Sequence, residues 1–215
     1  MKTYIRFFYL TLALLLLQAA HTLAATASYT LELTDDSKLW IEGDSSLHAF
    51  DSTATVIQLA SDVTPNSETA QNSEVEWFKH QKLSSLTLTV PIKDMTSHTK
   101  GLASPLRKAL KQKVQPNIIF TMQCYDLLPN SEDQTNLTVQ ISGNLSIGGE
   151  TNPIKLNMTG LPKGDEFEIS GETELQMTDY GITPPSLMFG RIKVADQVVI
   201  KWELKLKLVA TEGRA

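Results

Sequence analysis

Cysteine is nearly absent from this chain: Cys124 is the only one. No intramolecular disulfide can form, so the burial of a core must hold the fold. Zinc sites built on paired cysteines are excluded with it. An excess of positive charge is missing too. There are 19 basic and 24 acidic residues, a formal net charge of −5, and no basic run. A mildly acidic chain of this kind is a poor partner for nucleic acid or an anionic membrane surface. Catalytic signatures are also missing, with no G-x-S-x-G, no H-E-x-x-H and no glycine-rich phosphate loop. His48, His80 and His98 lie on separate loops or strand ends, and Ser104 and Ser186 have no sequence-evident base. The chain reads as a non-enzyme, with no catalytic residue, metal ligand or cofactor to name.

Long apolar runs are limited to the N-terminus. Phe7 to Leu17 is apolar, Lys2 and Arg6 stand before it, and the small residues Ala24, Ala25 and Ala27 follow. That order is a secretory signal, and the run is shorter than the roughly 20 residues a membrane span needs. The expectation is a cleaved leader over 1–25 and one domain over 26–212, periplasmic or secreted, with no stable membrane anchor.

What the chain does have is alternation. From Gln197 to Leu208 the apolar residues Ile200, Trp202, Leu204, Leu206 and Leu208 are interleaved with Lys201, Glu203, Lys205 and Lys207. Side chains on a strand point to opposite faces in turn, so this strand is apolar on one face and charged on the other. The same period of two recurs at Tyr29–Leu33, around Trp40, weakly over Thr53–Ala60, and at Leu86–Val90. It continues at Ile118–Cys124, Leu137–Ile147 and Ile154–Met158, and again from Phe167 to Met177. Cys124, sharing a face with Phe120 and Met122, is expected to be buried. Gly148-Gly149 reads as a hairpin turn, Pro162 to Asp165 as another, Gly143 as a bend, and Asp62 to Ser73 as a polar loop. Strands that follow one another so directly make an antiparallel meander, hence an all-β barrel or sandwich.

Two stretches depart from the pattern. Between Ile92 and Pro116, Leu102, Leu106 and Leu110 fall four apart, and Ser104-Pro105 resembles an N-cap and first turn. The spacing predicts a short helix over Pro105 to Gln112 that lies across the barrel as a lid. The second, Tyr180 to Arg191, carries Pro184-Pro185 and the apolar trio Leu187, Met188 and Phe189. On pattern alone the alternating faces fit a dry packed core as readily as a ligand channel.

Four segments, in order, resemble the YceI-like family of exported lipid-binding proteins. They are SKLWIEGDSSLHAF with Gly43, Ser46, Leu47, His48 and Phe50; VQPNIIF with Pro116, Ile118 and Phe120; GNLSIGGETNPIKLNM; and DYGITPPSLMFGRIKVADQVVIKWELKLK. The polar stretch from Asp62 to Ser73 is an insert that shorter members lack. The resemblance implies a lipocalin-like antiparallel eight-stranded β-barrel with a short helix in a long connection. It also implies an apolar channel that holds an isoprenoid, an isoprenoid quinone or another long-chain lipid, and it allows a homodimer.

The residues expected to touch such a lipid fall into three groups. The wall comprises Leu88, Val90, Phe120, Met122, Leu145, Ile147, Leu156, Met158, Trp202 and Leu204. The lid comprises Leu102, Leu106 and Leu110, and the rim Leu187, Met188 and Phe189. Methionines adapt to an irregular chain, which suits Met122 and Met158 to this place. Two other readings use the same barrel: a dry structural or interaction module, and an exported hydrolase or isomerase, for which no residue constellation speaks.

Overall fold

The structure is a computed structural model that describes residues 28–65, 81–99, 101–129, 136–163, 166–187 and 190–211. Twelve strands form in chain order: β1 (Ser28–Leu33), β2 (Lys38–Ser45), β3 (Phe50–Ala54), β4 (Gln58–Pro65), β5 (Gln81–Pro91), β6 (Met95–Thr96), β7 (Asn117–Pro129), β8 (Leu137–Ile147), β9 (Glu150–Lys163), β10 (Glu166–Gln176), β11 (Ser186–Leu187) and β12 (Ile192–Thr211). One helix, α1 (Ala103–Ala109), stands between β6 and β7. Short 3-10 turns occupy Ile92–Asp94 and Met177–Tyr180.

β12 organises the closure. Along one edge it pairs with β10, from Gln176↔Gln197 to Glu166↔Lys207. Along the other edge its first half pairs with β2 and its last residues with β1. β1 and β2 are thus one long wall broken at 34–37. Ser37 pins the break, because its hydroxyl accepts from Lys205 N at 3.0 Å while Thr34 N donates to Lys205 O at 2.9 Å. β3 and β4 form the next wall in two pieces, and β6 and β5 the one after. With β7, β8, β9, β10 and β12 these make a closed antiparallel barrel of eight walls.

The alternation of β12 falls as the sequence dictates. Trp202 and Leu206 are buried inside, with Ile200 and Leu204 half-buried on the same face. On the outer face Lys201 reaches Glu42 at 2.8 Å and Glu172 at 3.7 Å, and Lys205 reaches Asp36 at 3.2 Å. The β8–β9 hairpin turns at Gly148 and Gly149, whose φ angles of 61° and 97° suit glycine.

Several expectations need correction. Cys124 is exposed, not buried. β7 carries a bulge between Met122 and Cys124, so Met122 pairs with Gly143 but Cys124 with Ser142. The extra residue reverses the alternation, turning Cys124 outward and Tyr125 and Leu127 inward. The helix begins two residues before Pro105, with Leu102 at its N-cap and no side-chain cap. Ser104 and Pro105 sit in the first turn, where a missing N–H costs nothing because no intrahelical acceptor exists for it. The helix ends sooner as well, at Ala109, before a left-handed Lys111 (φ 53°). Asp62 to Pro65 is strand, paired to β5, and 66–73 lies outside the described residues. β3 and β4 replace the single strand expected over Thr53–Ala60. β9 runs on through Pro162 to Lys163, where a turn is expected from sequence.

Candidate ligand-binding site

The barrel interior is neither fully packed nor open along its length. At the upper end α1 lays Leu102, Leu106 and Leu110, all buried, against Ile147, Met177, Tyr180 and Ile182. Arg107 fastens the helix by donating from Nη1 to Met95 O at 3.2 Å. Burial in this cap pushes the Tyr180 phenol up from its ordinary value, with Asp179 adding to the effect. In the lower half Leu137, Val139, Phe167 and Leu206 form a second buried cluster, the last three of them also lining the main cavity.

That cavity lies beneath the cap and measures about 210 Å³. Every wall contributes to it: Leu31, Ile41, Leu59, Leu88, Phe120, Ile141, Met158, Ile169 and Trp202 among others. None of its lining residues is charged, and Thr173 and Tyr125 supply the only side-chain hydroxyls. Tyr125 Oη accepts a hydrogen bond from Leu83 N at 3.0 Å. The Trp202 indole N–H is buried with no partner among the described residues. Engineered apolar cavities of about 150 Å³ stay dry and take up benzene, so a larger one lined in this way suits an apolar guest.

Close contacts shape the walls. A side chain at Gly143 would collide with Thr121 O and the Phe120 ring, and one at Gly171 would come within 2.6 Å of the Trp202 ring. These two glycines therefore make room for the rings of Phe120 and Trp202.

The sixteen residues expected from sequence divide in space. Leu88, Val90, Phe120, Leu145, Leu156, Met158, Trp202 and Leu204 line the main cavity. Leu102, Leu106, Leu110 and Ile147 line a smaller space of about 50 Å³ under the helix. Met122 is half-buried against the upper core and lines neither. Leu187 belongs to β11, while its side chain, Met188 and Phe189 lie outside the described residues. Leu31, Leu39, Ile41, Leu59 and Ile141 line the cavity but were not singled out, although the same alternation marks most of them. Tyr125 and Leu127 carry no such signal, because the bulge hides their direction.

The histidines do not converge. His48 Nδ1 lies 2.8 Å from Ala49 O, and His98 Nδ1 lies 2.8 Å from Asp51 Oδ2. His80 is outside the described residues, among which no group of three His, Cys, Asp or Glu side chains could hold a metal.

The sequence profile of the YceI-like domain matches residues 41–206. The chain belongs to the YceI-like family. No curated protein matches the sequence. Solved structures do share the fold. BcnA of Burkholderia cenocepacia aligns at a TM-score of 0.59 and 14% identity, covering 81% of this chain and 99% of that one. A polyisoprenoid binding domain from Saccharophagus degradans, implicated in plant cell wall breakdown, aligns at 0.56 and 10%, covering 83% and 97%. The Campylobacter jejuni YceI protein aligns at 0.51 and 16%, covering 75% and 85%. This YceI-like chain therefore keeps the barrel of its relatives with few of their residues. Among its described residues no helix is long and apolar enough to cross a membrane.

Proposed function

We propose that this YceI-like protein is a binding protein that holds an apolar chain lipid inside its barrel. The observation that carries the reading is the cavity itself, about 210 Å³ and lined without a single charged residue. Each buried methylene contributes about 0.8 kcal/mol, so a prenyl or acyl chain needs no ionic anchor there. The eight sequence-expected residues that line it, from Leu88 to Leu204, are the contacts proposed. The Saccharophagus relative, described as polyisoprenoid binding, favours an isoprenoid chain, free or attached to a quinone. Residues 1–25 serve as an export signal in this reading, which places the carrier in the periplasm or beyond. No bond is made or broken in the cavity.

Native mass spectrometry of the protein purified from an exporting host, followed by organic extraction, tests the proposal. A discrete adduct that extracts as a prenyl or acyl lipid is the expected result. A bare mass that stays bare after incubation with geranylgeraniol or a long-chain fatty acid overturns it.

A further inference from the structure

The ladders of the barrel wall stop short in three places: β1 and β4 share the single pair Tyr29↔Val63, β5 and β7 part beyond Thr87↔Thr121, and β9 and β10 part above Gly171↔Met158. β9 pairs with β8 along its whole upper length, to Ile147↔Glu150, and β10 pairs with β12 up to Gln176↔Gln197. Between β9 and β10, however, pairing runs only from Glu166↔Lys163 to Gly171↔Met158. Above that point the facing edges, 150–157 on β9 and 172–176 on β10, have no ladder between them. Five residues of strand correspond to about 17 Å of unzipped wall.

Side chains report the same interruption. Below it, Lys163 Nζ lies 2.7 Å from Glu168 Oε2, joining β9 to β10. Above it, a continued register would put Lys155 opposite Glu174, yet no ion pair joins these two. The inward residues of β8 are buried at every position from Leu137 to Ile147. The inward residues on the slot edges, Ile154 and Leu156 on β9 and Thr173 and Leu175 on β10, are half-buried, as are Met158 and Ile169 in the paired part below. The slot has a definite top as well, where Asn152 Nδ2 donates to Asp179 O at 2.8 Å. Three of its four inner edge residues, Ile154, Leu156 and Thr173, also line the main cavity.

The cap under α1 packs over the upper end, while at the lower end Val139, Phe167 and Leu206 are themselves part of the cavity wall. Of the other interrupted ladders, β1–β4 is bridged by Ser61 Oγ, which accepts from Leu31 N at 2.8 Å, and β5–β7 beyond Thr87↔Thr121 by the Tyr125–Leu83 hydrogen bond. We propose that a chain lipid enters and leaves the barrel sideways, through the slot between β9 and β10. This inference rests on the lipid-binding reading above. Passage needs no unfolding of the cap: the apolar chain slides past Ile154, Leu156 and Leu175, while water hydrates the unpaired backbone groups on either edge.

Locking the slot is the test. In a Cys124→Ser background, Lys155→Cys with Glu174→Cys places two exposed thiols across it. They are joined by oxidation or, where the sulfurs do not meet, by a bis-maleimide with singly capped thiols as control. Ser170→Cys with Thr159→Cys makes the same lock across the paired part of these strands. Loading of geranylgeraniol is followed over time by native mass spectrometry. The expected result is at least about a tenfold slower loading with the slot locked, restored on reduction where the lock is a disulfide, and normal loading with the lower lock. Loading at the unlocked rate with the slot closed overturns the side mouth. Failure of the unmodified protein to load at all overturns the lipid-binding reading instead.

Discussion

The indole of Trp202 rests on Gly171, the residue opposite it on β10. A methyl group there would stand 2.6 Å from the ring's Cζ2 and 3.1 Å from Asn157 O. The absence of one side chain on β10 thus lets β12 carry a tryptophan into the wall, at the height where β9 and β10 part.

Gly171→Ala is expected to destabilise the barrel by about 1–3 kcal/mol, since ring and carbonyl must both shift to admit the methyl. Gly149→Ala offers a contrast. Nothing lies within 4 Å of a Cβ there, but its φ of 97° disfavours any side chain, so its cost comes from backbone strain alone. Urea unfolding measures both. A neutral Gly171→Ala would show that Trp202 has room to move.

Enlarging a residue separates cavity from core. Leu88→Phe extends into the main cavity and is expected to cost little stability while blocking lipid uptake. Leu110→Phe meets only the smaller space of about 50 Å³ under the helix and is expected to cost more, about 1–3 kcal/mol. Equal losses in the two variants, measured by thermal unfolding, would mean that the cavity is not available space.

The acid limb of stability is expected to depend on Glu42. Its carboxyl is held below its ordinary value of 4.5 by the hydrogen bond from Lys201 and by that from Trp40 Nε1. A lowered folded-state value adds stability that is present above pH 4.5 and is lost as the pH falls through it. Glu42→Gln should therefore lower the neutral plateau slightly and flatten the decline below that pH by the same amount, the two proteins converging in acid. The effect should shrink in concentrated salt, because the pair is solvent-accessible. A variant whose acid limb superimposes on that of the parent would remove Glu42 from the account.

Cys124 is expected to react with a thiol reagent in the native protein, one thiol per chain, without denaturant. Its outward direction follows from the β7 bulge. Modification that appears only on unfolding would mean that β7 alternates regularly and that the thiol faces the interior.

Much of the barrel was legible in the sequence, because each wall writes its own period of two. Trp202 and Leu206 inside, with Lys201 and Lys205 outside, follow from position alone. A bulge is not written that way. One extra residue near Gln123 reverses the sense of everything beyond it, and no composition marks the spot; hence Cys124 was misplaced and Tyr125 missed. Ser104-Pro105 resembles a cap, but the burial of Leu102 and Leu106 sets where the helix starts. The candidate site was half legible. Leu88 and Leu110 are the same residue type on equally apolar faces, yet one faces a space of about 210 Å³ and the other one of about 50 Å³. Only the distance between walls decides that, and distance is a property of the assembled barrel.

The closing strand has a consequence for how the molecule is made. β12, at 20 residues, is the last wall to be synthesised, and it must bond both to β10 beside it and to β1 and β2 at the far end of the chain. Until it emerges, β10, β1 and β2 lack their partner and the barrel cannot close. Such a topology closes late, over long sequence separations, and so belongs with slow-folding β proteins. A ribosome stalled before Ile192, or a truncation there, leaves a template for sticking to other chains. The final stretch is therefore a latch, and the cell must protect this protein until it is shut.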